Sequence, residues 1–351
     1  MTEQFTFTRR SILKWSAAGA ALAAASPLAR PAIAQGKAVS WRMQALWDGG
    51  TTPQKYEQMF VERVGKLTNG QFKLDLFSAG QIVPPAQAFD AVRGGAFQLM
   101  KTFDGYEAGK IPALAFTSTI PFGYPKSDQY AAWFYDKGGL DMAREAYAPA
   151  GLHYIAPTIY DQEPIHSKVK LTSIAEFSGK KGRFVGLAST VMSGFGVAVS
   201  PLPTSEVYSA LDKGLIDIAD RGDLQANLDA GLAEVAKFII LPGVHQPTTA
   251  TSYVANAAAF KQLPDDFKNA LSTAAKEVSE AYQAAKTKSD ETALAAFQKQ
   301  GVEVIMLDDA DVKAARKKAT EIWRKATKEN ALAVKILDSQ MAQMRDLGLI
   351  S

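Results

Sequence analysis

The sequence predicts an α/β protein of two lobes joined by crossover strands, with one long helix near the carboxyl end that spans both. Three observations carry this expectation. From residue 38 onward, short apolar or alternating runs are separated by stretches of helical spacing, the pattern of sheets with helices on their faces. Setting aside the first 34 of 351 residues leaves about 317, above the size at which a single core stops growing. Finally, Pro264 to Gln300 holds no internal Gly or Pro, far longer than an ordinary domain helix.

The elements follow in order. Ala38–Ala45 (AVSWRMQA) reads as a strand, and Tyr56–Leu67 as a helix stopped by Asn69-Gly70. Phe72–Phe77 (FKLDLF) alternates with period two, completing a βαβ opening. Pro85–Gly94 is a helix ended by Gly94-Gly95, and Phe97–Phe103 the strand after it, so the sheet is expected to be mainly parallel. Tyr124–Ala148 is then helical, Leu152–Thr158 a strand, Ile174–Phe177 a helical turn and Gly182–Gly186 a strand. Thr204–Lys213 is a helix that Thr204 or Ser205 can cap, and Ile216–Ala219 a strand leaving Gly214. In the long helix the apolar positions lack a strict heptad, which favours spanning two lobes over a coiled coil. Val302–Leu307 and a last helix from Asp311 complete the chain. One lobe is expected to comprise 38–160 plus 248–288, the other 161–247 plus 289–351.

The amino terminus reads as an export signal. Thr8-Arg9-Arg10-Ser11-Ile12-Leu13-Lys14 precedes a weakly apolar run from Trp15 to Ala25, and Ala32-Ile33-Ala34 forms a small-x-small cleavage site. Paired arginines before an Ala-rich run indicate the twin-arginine route, with cleavage near Ala34 and function in the periplasm. This segment carries Arg9, Arg10, Lys14 and Arg30 against Glu3, which is the whole +3 of the chain. The remainder is therefore neutral and lacks the clustered positive charge that nucleic-acid binding requires. With no cysteine, disulfides, zinc thiolates and thiol catalysis are excluded. Three scattered histidines, His153, His166 and His245, do not form a His-rich metal motif.

Five segments, taken together and in order, resemble the DctP-type solute receptors of TRAP transporters, the tripartite ATP-independent periplasmic systems. They are Gly70–Gly80 running into Phe89–Gly95, Lys180–Gly186 (KKGRFVG), Pro203–Leu215 with Asp217–Asp220, Val235–Gln246 (VAKFIILPGVHQ), and the long helix after Leu263-Pro264. Trp41-Arg42-Met43-Gln44 and Ala108-Gly109-Lys110 are similar to the branch that binds 2-oxo and hydroxy acids. The resemblance implies a type II-like periplasmic binding fold that closes around an organic acid anion and delivers it to transporter membrane subunits. A homodimer is compatible with it.

The same resemblance assigns roles. Arg183 is implied to grip the ligand carboxylate, since a planar guanidinium can hold it bidentately. Gln162 and Asp220 are implied to bind a sodium or calcium ion beside the ligand, assisted by the backbone carbonyl of Arg221, all hard oxygens. Arg221 departs from the pattern, standing where the branch has an aromatic residue. It can pair with Asp220 and replace the cation, or point away while its carbonyl ligates. Tyr106 and Trp47 are implied to line the cleft, Tyr106 with a hydroxyl to donate. Glu107 replaces another aromatic and changes the polarity of that wall. Glu163 and Asp223 read equally as solvated loop or site, His245 and Glu206 as structural, Phe184 and Tyr208 as core. A periplasmic enzyme using Asp161, Glu163 and His166 is the rival class, but no GxSxG elbow occurs. A ligand-binding subunit of a sensing system is the third.

Overall fold

The computed structural model describes residues 38–351, so the export signal of residues 1–34 lies outside the described residues. The first sheet is built around an opening βαβ unit: β1 (Val39–Gln44), α1 (Thr52–Leu67) and β2 (Phe72–Phe77), where β2 keeps the bounds its alternation predicts. A turn and short helix, α2 (Ala88–Arg93), lead to β3 (Leu99–Thr102). The predicted helix over 124–148 is two helices, α3 (Ser127–Asp136) and α4 (Gly139–Tyr147). They part at Gly138, whose φ of 81° is the left-handed conformation that glycine adopts without a Cβ penalty. β4 (Leu152–Asp161) follows.

The second sheet begins with β5 (Ile165–Ser167) and β6 (Lys181–Arg183). Where a strand was expected to run to Gly186, that glycine instead starts α5 (Gly186–Gly194). Next come β7 (Ala198–Val199), α6 (Val207–Asp212), β8 (Ile218–Ala219), α7 (Leu224–Asp229), α8 (Leu232–Val235) and β9 (Phe238–Leu241). The turn before α6 begins at Pro203 and has no side-chain cap, so neither Thr204 nor Ser205 serves there. β10 (Thr248–Asn256) returns to the first sheet, followed by α9 (Ala257–Gln262) and α10 (Asp265–Lys299). β11 (Glu303–Met306) joins the second sheet. The expected last helix is two, α11 (Asp309–Ala326) and α12 (Ala331–Asp346), the latter capped by the Asn330 side chain.

The first sheet has the order β2-β1-β3-β10-β4 and the second β11-β9-β5-β8-β6-β7. Both are mixed rather than mainly parallel. β10 runs antiparallel to β3 and β4, and β5 antiparallel to β8 and β9, because each is a strand that has crossed from the other sheet. α10 spans both halves. Its Phe267, Leu271 and Val278 are buried with Trp41, Phe60 and Phe72 of the first sheet, and its Ala293 and Phe297 with Leu211 and Ile239 of the second. α12 packs beside α4, and the Nε2 of its Gln340 donates to the Phe116 carbonyl at 2.8 Å. No helix of the described residues is long and apolar enough to cross a membrane.

Candidate ligand-binding site

The site forms where the chain crosses twice between the sheets. The segment after β4 and the segment before β10 touch through backbone: the Glu163 N–H donates to the Gln246 carbonyl at 3.0 Å. At the same place a Cβ on Gly243 would lie 1.7 Å from the Glu163 carbonyl oxygen, so only glycine fits. The Gly243 N–H donates to Gln162 Oε1 at 2.6 Å. That bond commits the oxygen Gln162 was expected to offer an ion, and Gln162 does not line the cavity.

Beside this crossing lies a cavity of about 270 Å³, partly open to solvent, walled by Trp47, Phe103, Tyr106, Tyr160 and Val185. Its polar lining is Arg183, Arg221, Glu163 and Gln246. Arg183 stands at the end of β6 and is 2% exposed. Its Nε donates to the Leu202 carbonyl at 2.8 Å, and its Nη1 donates to Asp220 Oδ1 at 2.7 Å and to the Asp220 carbonyl at 3.2 Å. Nη2 alone is left without a partner. The expected two-nitrogen fork is thus reduced to one free nitrogen, because Asp220 and Leu202 occupy the others.

Arg221 takes neither expected course in full. It does not pair with Asp220; its Nη1 donates to the Ala226 carbonyl at 3.1 Å and its Nη2 lies 3.7 Å from Asp48 at the rim. The guanidinium nevertheless lines the cavity. Tyr106 keeps 40% of its surface exposed, yet its hydroxyl sits near Arg183, where burial raises its pKa and the guanidinium opposes that rise. Glu107 is turned out of the cavity and pairs with Lys110 at 2.9 Å. The expected polar wall at that position is therefore absent.

Residues read as solvated or merely structural prove central. Glu163 is 4% exposed and Asp223 3%, so neither is a solvated loop residue. Glu163 Oε1 accepts from the Tyr160 hydroxyl at 2.7 Å, and burial, then the negative Asp220, push the Glu163 carboxyl up to about 8. His245 is fully buried with its Nε2 3.6 Å from Asp220 Oδ2, and burial pulls its pKa down to about 4. His166 is buried too, in β5, with neither ring nitrogen bonded. Gln246, with an unpartnered buried Oε1, carried no signal in the sequence beyond its place in a family segment.

Contacts across the cleft show a closed arrangement. Trp47 packs on Gly222, where a Cβ would meet the indole at 3.0 Å. The Thr52 N–H at the start of α1 donates to Asp229 Oδ2 at the end of α7, 3.0 Å away. The Tyr282 hydroxyl on α10 bonds Asp223 Oδ2, while Asp223 Oδ1 caps α7 by accepting from the Ala226 N–H.

A profile described as bacterial extracellular solute-binding protein, family 7, matches residues 45–330. The chain belongs to this family. As a family 7 chain it is 35% identical over 237 residues to a monocarboxylate 2-oxoacid-binding periplasmic protein of Nostoc sp.. That match covers 67% of this chain and 65% of the Nostoc protein, so the chain spans about two thirds of that relative. A TRAP transporter solute-binding protein from Bordetella bronchiseptica, a dimer with copurified calcium and picolinate in its active site, has 26% identity and a TM-score of 0.82. The alignment covers 88% of this family 7 chain and 93% of that one. A receptor from Pseudoalteromonas atlantica with sodium and pyruvate, at 23% identity and TM-score 0.82 over 89% and 95% of the chains, shows the same fold. The family is one of solute-binding proteins.

Proposed function

We propose that the protein is an extracytoplasmic receptor that closes around a small organic acid anion, a 2-oxo or hydroxy monocarboxylate, and presents it to the membrane subunits of a TRAP transporter. The observation that carries this reading is the buried Arg183, lining a cavity between two crossing strands with one nitrogen left free. Asp220 spends its charge on Arg183, and Asp48, half exposed at the rim, only partly offsets Arg221. A guanidinium is thus available to an anion, with the Tyr106 hydroxyl beside it. The volume of about 270 Å³ lies below the ~300–1,000 Å³ of drug-sized pockets and suits a ligand of few atoms. Micromolar affinity needs about 8 kcal/mol, and one charge-assisted bond supplies about 1.5–3, so burial between Trp47, Phe103 and Val185 on closure must add the rest.

The ion implied by the resemblance finds part of its shell here. Asp220 Oδ2 is buried and unpartnered, a fit for a cation, while Gln162 Oε1 is bound to Gly243 and the Arg221 carbonyl remains the third proposed ligand. A bound cation would offset the carboxylates and polarise the second oxygen of the ligand. Export through residues 1–34 supplies the compartment in which such a receptor works.

A thermal-shift screen of the purified protein against organic acids, with and without chelator, tests the reading. A stabilising 2-oxo or hydroxy acid whose effect vanishes in Arg183→Ala is expected. Absence of stabilisation by every monocarboxylate and dicarboxylate, or turnover of the compound, would refute it.

A further inference from the structure

Three donors meet at the strand crossing, and the protein leaves each with uncommitted capacity. Asp220 is fully buried and its Oδ2 has no hydrogen-bond partner. His245 is fully buried and neither Nδ1 nor Nε2 is bonded. Glu163 gives Oε1 to the Tyr160 hydroxyl and keeps its second oxygen uncommitted. One atom from each of the three lies within 4.8 Å of the others. Leaving such groups buried without a partner is unfavourable, and convergence of three of them calls for a common acceptor of their lone pairs.

Charge points the same way. Once an organic acid enters the closed site, the carboxylates of Glu163, Asp220, Asp48 and the ligand face only the guanidiniums of Arg183 and Arg221. A divalent cation restores balance. The donor chemistry then selects the kind of ion. Sodium and calcium take shells of oxygen, but the oxygen expected from Gln162 is held by the Gly243 N–H, and the third converging donor is an imidazole nitrogen. A nitrogen with two carboxylates is a set that zinc and its first-row neighbours take. Bonds of about 2.0–2.1 Å place tetrahedral ligand atoms about 3.4 Å apart. His245 Nε2 and Asp220 Oδ2 already stand 3.6 Å apart.

We propose that Glu163, Asp220 and His245 form a binding site for a divalent transition-metal ion such as zinc, set against the ligand cavity. Its open positions take the carboxylate and the 2-oxo or 2-hydroxy oxygen of the organic acid as a chelate. The metal site stands on its own donors; the chelate rests on the receptor reading.

The test uses chelator-stripped protein loaded with Zn²⁺ or Co²⁺, desalted, and assayed for metal per chain and for the cobalt absorption spectrum. One ion per chain is expected, with a cobalt spectrum that changes in His245→Ala and retention at least tenfold weaker in both His245→Ala and Glu163→Gln. Circular dichroism and melting confirm that the variants fold, and Glu163→Gln preserves shape where loss of the ring disturbs packing. Millimolar Ca²⁺ should not displace the ion. Failure to retain Zn²⁺ or Co²⁺, or retention unaffected in both variants, overturns the metal site. Pyruvate titrated by calorimetry into stripped and zinc-loaded protein separates the two readings. Tighter binding to the zinc form supports the chelate. Equal binding to both forms sinks the chelate and keeps the receptor. Zinc retained with neither pyruvate nor any other organic acid bound sinks the receptor and keeps the metal site.

Discussion

Arg183→Ala should unfold the protein earlier as well as remove carboxylate binding. Asp220 is fully buried, and its Oδ1 depends on Arg183 Nη1 at 2.7 Å. Deleting one partner of a buried pair leaves an uncompensated charge and costs about 3–5 kcal/mol. Over the residues of Val39–Ser351, an unfolding entropy of about 2.1 cal/mol/K per residue converts this into a drop in Tm of roughly 5–8 °C. The partner variant decides the cause. In Arg183→Met/Asp220→Asn both charges are gone, and the double variant should melt several degrees above Arg183→Ala while still failing to bind any organic acid. Melting of chelator-stripped protein, followed by circular dichroism for the wild type, both single variants and the double, gives the full cycle. An Arg183→Ala variant that melts within about 1 °C of wild type, or a double variant no more stable than the single, refutes the reasoning.

Other perturbations read different parts of the structure. Gly243→Ala forces a Cβ to within 1.7 Å of the Glu163 carbonyl, backbone against backbone, and should cost about 3 kcal/mol or more in urea unfolding, or abolish soluble expression. Burial, aided by the positive Arg221, holds His166 down at about 3 from an ordinary 6.5, so its stabilising contribution is complete above pH 6.5 and is lost as pH falls toward 3. At about 1.4 kcal/mol per pH unit, His166→Gln should lose about 2 kcal/mol less than wild type between pH 6.5 and 5; parallel curves would show that His166 is not buried neutral. Tyr282→Phe removes the bond to Asp223 but spares the α7 cap, and should cost about 1.5–3 kcal/mol and weaken carboxylate binding. Asp223→Ala should cost about 1 kcal/mol more because the cap goes too, and equal losses would mean that the two contacts are not independent.

Elements whose residues face one way were legible from sequence. β2 shows alternation with one face buried, and α10 runs 35 residues without a breaker. Those that eluded it lack a periodic signature for stated reasons. α5 (GLASTVMSG) is apolar on most sides because Leu187, Val191 and Met192 sit inside the largest core, so no polar face marks its turns. β5 and β8 are three and two residues long and exist through pairing with strands distant in sequence. The break between α11 and α12 falls at Lys328 and Glu329, both at positive φ with no glycine to announce it. At the site, Arg183, Arg221, Tyr106 and Trp47 were nameable from the resemblance. The partners of Gln162 and the burial of Glu163 and His245 were not, since each depends on the two crossing segments meeting in space.

The interleaving of the strands also governs when the chain can fold. The first sheet opens with β1, β2 and β3, but the strand that joins β3 to β4 is β10, made after most of the second sheet. The second sheet in turn waits for β11, which lies beyond α10. Neither half can therefore close on its own as synthesis proceeds, and such non-local pairing is slow and leaves sheet edges open meanwhile. A chain cut before residue 303 would lose β11 along with α11 and α12, leaving β9 as a bare edge and the cluster around Trp323 and Ile336 unfilled. Maturation is thus a late event governed by the arrival of the last fifty or so residues, and truncated products should go to proteolysis rather than persist as half-receptors.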